Sequence, residues 1–186
     1  MKSALIIAAF LVLGAVAVRF TAAPPWNVTG SFVARHVADV ALISDSGYAV
    51  RLDRPPRGAL IVLGYTRCAD ACPLALAKAS AAARGLRGNA RPGLFFVTID
   101  PAFDSRAVLR RYLAAWDHSI VGITGEPDAL RRVAASLGAA GGARPAAEHD
   151  TRLFLIDPAG DVVEDIPPDI AVGDLRRLLA TAAPPH

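Results

Sequence analysis

Four near-continuous apolar runs of strand length, Ala59 to Leu63, Leu94 to Ile99, Ile120 to Ile123 and Leu153 to Ile156, constrain this chain more than any other feature. A strand with one wetted face alternates apolar and polar residues, whereas a continuous run belongs to a strand covered on both faces. The segments between the runs carry helical periodicity. Val108, Leu109, Tyr112, Leu113 and Trp116 fall on one stripe of a helix that Asp104 would cap, which gives Tyr112 and Trp116 a core role and no cofactor role. Leu130, Val133, Ala134 and Leu137 follow Pro127, a favourable first-turn residue. An Ala-rich helix is expected from Ala75 to Leu86 after Pro73, and Leu175, Leu178 and Leu179 mark a last one. Val37 to Ile43 and Tyr48 to Leu52 read as a hairpin around Ser44-Asp45-Ser46-Gly47. A second hairpin turns at Asp157-Pro158-Ala159-Gly160 between Leu153–Ile156 and Val162-Val163. Strands alternating with helices give an α/β class. The order fits a thioredoxin-like three-layer domain with an N-terminal β-hairpin extension. The Gly/Ala-rich stretch Gly138 to Ala147 is a loop.

With 53% apolar and 20% charged residues among 186, the chain is neither disordered nor collagenous, and one globular domain accounts for it. Ahead of that domain, Lys2 precedes an apolar stretch from Ala4 to Val18 that ends at Arg19, the pattern of an export signal. If Arg19 snorkels, Ala4 to Ala23 is about long enough for a bilayer core of ~30 Å. Cleavage after Thr21-Ala22-Ala23 would leave Pro24 at the new terminus, so residues 1–23 are read as one N-terminal transmembrane helix, or as a signal segment if cleaved. A buried core helix is the plainer alternative. No cysteine lies nearby, which excludes a lipoprotein. Residues 24–30 form a linker and residues 31–183 the domain. The net charge of +3 includes Lys2 and Arg19, so the domain itself is nearly neutral and no nucleic-acid partner is expected.

The chemistry concentrates on two cysteines. Two thiols cannot hold an iron–sulfur cluster or a four-thiolate zinc site unaided, and the only methionine is Met1. Both cysteines sit in Gly64-Tyr65-Thr66-Arg67-Cys68-Ala69-Asp70-Ala71-Cys72-Pro73, where the first buried strand gives way to a helix. That carboxyl edge is where α/β sheets gather ligands. Four positions apart, Cys68 and Cys72 can oxidise together or share one metal ion. At a helix N-terminus the Cys72 thiolate is expected to be stabilised and its pKa lowered. The plain alternative is a stabilising disulfide, although a loop this short gains little entropy from closure. Asp70 is read as orienting the loop or serving partner docking, or as an ordinary turn residue. Asp100, ending a strand beside Pro101, is placed to hydrogen-bond the cysteine loop. His118 is read as meeting helix C-terminal carbonyls, and His36 and His186 as surface or tail residues.

The cysteine block, Val97-Thr98-Ile99-Asp100-Pro101 with Asp104, Ile120 to Gly125, and His149 ahead of Leu153 to Gly160 together resemble the signature blocks of the SCO/SenC family over about residues 33 to 182. That family comprises membrane-anchored, thioredoxin-fold copper-binding proteins of cytochrome c oxidase assembly. The resemblance implies Cys68, Cys72 and His149 as copper ligands, with Cu(I) and also Cu(II) as cargo. Soft thiolates with an imidazole independently suit copper. A loop histidine without a ligand role is the alternative for His149. The resemblance further implies cytochrome c oxidase subunit II or another copper acceptor as partner, together with a thiol reductant or copper donor protein. It places the domain in the periplasm on a single-pass inner-membrane anchor, or free there if the anchor is cleaved. Ala69 and Ala71 stand where the family usually has proline and valine, so the loop is less rigid, and Asp150 follows His149 where serine is common. The rival function is a thiol-disulfide oxidoreductase using the same cysteine pair. A peroxide-reducing thiol enzyme is a third reading, supported only by the fold and Thr66.

Overall fold

The computed structural model describes residues 35–86, 91–139 and 151–181. The segments read as anchor and linker, most of the Gly/Ala loop, His149 and His186 lie outside the described residues. Seven strands form one sheet: β1 (Leu42–Ser44), β2 (Ala49–Val50), β3 (Ala59–Gly64), β4 (Gly93–Thr98), β5 (Ile120–Thr124), β6 (Leu153–Ile156) and β7 (Val162–Ile166). The helices are α1 (Ala71–Ala83), α2 (Arg106–Leu113), α3 (Pro127–Ser136) and α4 (Val172–Thr181).

The sheet order is β2-β1-β5-β4-β3-β6-β7. β3, β4 and β5 run parallel, and β6 and β7 continue antiparallel beside β3. Right-handed crossovers decide where the helices go. The chain steps in one direction from β3 to β4 to β5, so α1 and α2 cover the same face. It then reverses across the sheet to reach β6, which is antiparallel to β5 and so outside that rule, and α3 packs on the other face. The packing shows the two layers. Leu60 and Val62 of β3 join Leu76, Leu109, Leu113, Leu175 and Leu179 in one core, while Ala59, Ile61 and Leu63 join Leu130, Val133 and Leu137 in the other. Every β3 residue is buried, as a continuous apolar run requires.

The four apolar runs all become strands, each within one residue of its expected ends at either side. The N-terminal hairpin forms around its expected turn, with the Gly47 N–H on the Ser44 carbonyl at 2.9 Å, but its strands are shorter than expected. Val37 donates instead to the Gly160 carbonyl at 2.9 Å, and His36 bridges to Asp161, so the stretch before Leu42 clasps the far hairpin. That contact explains Gly160, whose φ is +94° and whose place a Cβ could not share with the Asp53 carbonyl.

One expectation is corrected at α2. Ser105, not Asp104, is the N-cap: its hydroxyl accepts the Val108 N–H at 3.4 Å. Asp104 is wholly buried and faces the cysteine loop.

Candidate metal centre

The first parallel strand ends at Gly64, and the chain must turn there before α1 begins at Ala71. The Cys68 N–H closes that turn on the Tyr65 carbonyl at 3.1 Å. Cys68 is half-buried on the loop; Cys72, in the first turn of α1, is fully buried. Both are free thiols. The Cys72 N–H donates to Cys68 Sγ at 3.4 Å, one of the helix donors that lack an intrahelical acceptor.

Cys72 Sγ lies under the strand end. A Cβ at Gly64 would fall 2.6 Å from that sulfur and 2.9 Å from the Phe96 ring, so glycine is what lets the sulfur approach. On its other side Cys72 Sγ shares a hydrogen bond of 3.4 Å with Thr151 Oγ1, buried just ahead of β6. Neither Gly64 nor Thr151 was singled out from the sequence. The signals were a glycine closing a buried run and a threonine two residues ahead of another.

The two thiols differ electrostatically, in the opposite sense to the expectation for Cys72. Burial pushes the Cys72 thiol up to about 11, overriding the helix terminus and its bonds from Thr151 and Tyr65. Cys68 is also raised by burial, but hydrogen bonds from the N–H and thiol of Cys72 and from the N–H groups of Asp70 and Ala71 outweigh that and hold it below its ordinary value. The helix N-terminus acts, but on Cys68.

The supporting residues separate. Asp100 reaches the loop as expected: Arg67 donates to Asp100 Oδ2 at 2.5 Å and also lies over the Phe103 ring, 4.3 Å from its centroid. Asp70 is exposed, and its side chain makes no capping bond to α1. Tyr112 and Trp116 pack against the core beside Phe96, with centroid spacings of 5.7 Å for Phe96–Tyr112 and 6.5 Å for Tyr112–Trp116. His36 pairs with Asp161 at 3.0 Å, and His118 is exposed. Among the described residues no three His, Cys, Asp or Glu side chains converge tightly enough to hold a metal. Cys68 and Cys72 supply two donors, and His149 lies outside the described residues.

A parallel β-α-β core extended by an antiparallel hairpin, with paired thiols at the carboxyl end of the first parallel strand, defines a thioredoxin-like domain. The family model described as SCO1/SenC matches residues 29–182, and the chain belongs to that family. The mitochondrial SCO2 homolog of Bos taurus is 31% identical over 136 residues, which cover 66% of this chain and 50% of that protein. The chain spans about half the length of the curated relatives it matches. Apo Sco1 from Thermus thermophilus superposes with a TM-score of 0.66 at 30% identity, covering 83% of this chain and 93% of that one. Copper-bound ScoI of Bradyrhizobium japonicum has the same fold, with a TM-score of 0.66 at 23% identity over 79% of this chain and 99% of that one.

Proposed function

We propose that this chain is a copper metallochaperone that binds copper through Cys68, Cys72 and His149 and delivers it to the binuclear copper site of cytochrome c oxidase. Family membership supports the class, and the copper in the Bradyrhizobium structure supports the cargo. The observation that carries the ligand set is the contact between Cys72 Sγ and Thr151 Oγ1. His149 stands two residues before Thr151, and two residues of chain reach no more than about 7 Å. That short tether supports reading His149 as the third ligand, although it is 77 positions from Cys72. Two thiolates and one imidazole suit copper and leave a coordination position open for an acceptor's ligand to enter before release. The apolar segment from Ala4 to Ala23 would anchor the domain to the inner membrane, facing the periplasm. No described helix is itself long and apolar enough to cross a membrane.

The test is Cu(I) binding by the full chain, reduced and metal-free, compared with His149→Ala. One copper per chain, bound at least tenfold more weakly by the variant, supports the three-ligand site; equal affinity removes His149 from it.

The asymmetry of the thiols favours a second reading, a thiol-disulfide oxidoreductase. The half-exposed Cys68, with its lowered pKa, has the character of an attacking thiol, and the buried Cys72 that of a resolving one. Attack on a target disulfide would form a mixed disulfide and release one target thiolate. Cys72 would then displace the second, leaving Cys68–Cys72 oxidised and the target reduced by two electrons. Rapid turnover of disulfide substrates without stable copper binding would decide for this reading.

A further inference from the structure

Asp104 is a wholly buried carboxylate that the copper chemistry does not use. Burying such a group is costly unless donors replace its water. Here the donors come from two separate elements. Thr66 of the cysteine loop gives two, its N–H to Oδ2 at 3.1 Å and its hydroxyl to Oδ1 at 2.5 Å. Thr98, the last residue of β4, gives its hydroxyl to Oδ2 at 2.6 Å and accepts the Asp100 N–H at 3.0 Å. The turn that presents Asp104 is itself closed by the Asp104 N–H on the Asp100 carbonyl at 2.9 Å.

One residue separates Thr66 from Cys68, and it is Arg67, held by Asp100 and Phe103 of the same turn. Both residues leading into Cys68 are thus fastened to the segment after β4. Cys72 is fixed from elsewhere, by α1, by the close packing at Gly64 and by Thr151. The relation between the two sulfurs depends on two independent anchorages, and Asp104 holds the one belonging to the more exposed thiol.

We propose that Asp104 is a positioning residue for the metal site: acting through Thr66, it presets the loop that carries Cys68 so that copper meets two thiols already in place. This rests on the copper-binding reading and goes beyond its ligand set. A preset loop loses less conformational freedom on binding, which raises affinity without any contact between Asp104 and the metal.

The role is geometric, so the conservative variant distinguishes it from a charge effect. In Asp104→Asn the amide oxygen can take the two donors now on Oδ2, while the amide nitrogen donates to the Thr66 hydroxyl, which can accept. Asp104→Ala leaves all three donors without a partner, and Thr66→Val removes only the hydroxyl. Two measurements on the full chain apply: Cu(I) affinity in competition with a chromophoric Cu(I) chelator, and amide hydrogen exchange of residues 65–70 in the metal-free protein. We expect Asp104→Ala to lose about tenfold in Cu(I) affinity, which corresponds to about 1.4 kcal/mol, and to exchange faster in that loop with β3 and β4 unchanged. Thr66→Val should shift both readouts the same way by a smaller factor, and Asp104→Asn should stay near the parent in both. Parental affinity in Asp104→Ala overturns the proposal, as does equal weakening in Asp104→Asn, which would assign the effect to charge. If Asp104→Ala does not fold, parental affinity in Thr66→Val overturns it. Absence of Cu(I) binding by the parent chain overturns the copper reading and this inference together, an outcome distinct from binding that ignores Asp104.

Discussion

Substituting Gly64 by alanine adds one methyl group where the structure has no room for it. The new Cβ would sit 2.6 Å from Cys72 Sγ, and 2.9 and 3.1 Å from two atoms of the Phe96 ring. Ordinary contact begins at about 3.5 Å, so the sulfur must retreat by nearly 1 Å. Cys72 and Phe96 are both fully buried, and close-packed interiors have little slack. Gly64 pairs with Thr98 in the regular parallel ladder and its φ lies outside the left-handed region, so the penalty is steric and not conformational. Overpacking of this kind costs about 1–3 kcal/mol. For a chain of this size each kilocalorie lowers Tm by roughly 2–4 °C, which gives a fall of about 2–12 °C. Paired thermal and urea unfolding of the reduced chain measures it. Because the displaced sulfur is the one bonded to Thr151, alkylation of Cys72 under native conditions should also accelerate. A Gly64→Ala variant as stable as the parent, with Cys72 equally protected, would refute the packing argument.

Native alkylation of the reduced parent, followed by peptide mapping, should modify Cys68 first and leave Cys72 protected until the chain unfolds; equal rates would contradict the burial difference between them. Asp53 offers a pH prediction: it is buried, and the Arg51 guanidinium, donating at 3.0 and 3.3 Å, holds its carboxyl below the usual carboxylate range. A depressed folded pKa gives stability that is complete above the unfolded value of about 3.9 and is lost as pH falls through the folded value. Urea midpoints of the parent should therefore drop more steeply than those of Asp53→Asn below about pH 4, and parallel acid limbs would remove Asp53 from the account.

Period and run length made the sheet legible, because each buried strand is specified by its own residues. Leu153–Ile156 is a strand with the expected ends, and Pro127 starts α3 as expected. Local rules failed where distant chain competes for the same atoms. Asp104 and Ser105 are both good caps by type, and the choice between them was made by Thr66, 38 residues away, which takes the carboxylate and leaves the hydroxyl for α2. Cys72 has the helix-terminal position that lowers a thiol's pKa, yet Gly64, Phe96 and Thr151 enclose it, and desolvation wins. The early hairpin was over-extended for the same reason, since its first half finds partners at Gly160 and Asp161. The cysteine pair was visible as a motif. Its asymmetry was not, because it comes from tertiary burial.

That asymmetry bears on how the site can trade its cargo. Two buried thiols would shield a metal but leave an acceptor no sulfur to approach, and two exposed thiols would offer no fixed geometry. Here one sulfur is set into the core and the other rides a loop at the surface, while the orphan N–H groups of α1 point at the accessible sulfur and not at the buried one. Helix-terminal donors stabilise negative charge on Cys68, which keeps it competent as a thiolate ligand and raises the share of thiolate it presents to an attacking or accepting partner. The same donors therefore serve metal capture and disulfide exchange alike at the exposed position. The fold achieves this by starting α1 at Ala71, three residues after Cys68, so that the N–H groups of Asp70, Ala71 and Cys72 meet that sulfur.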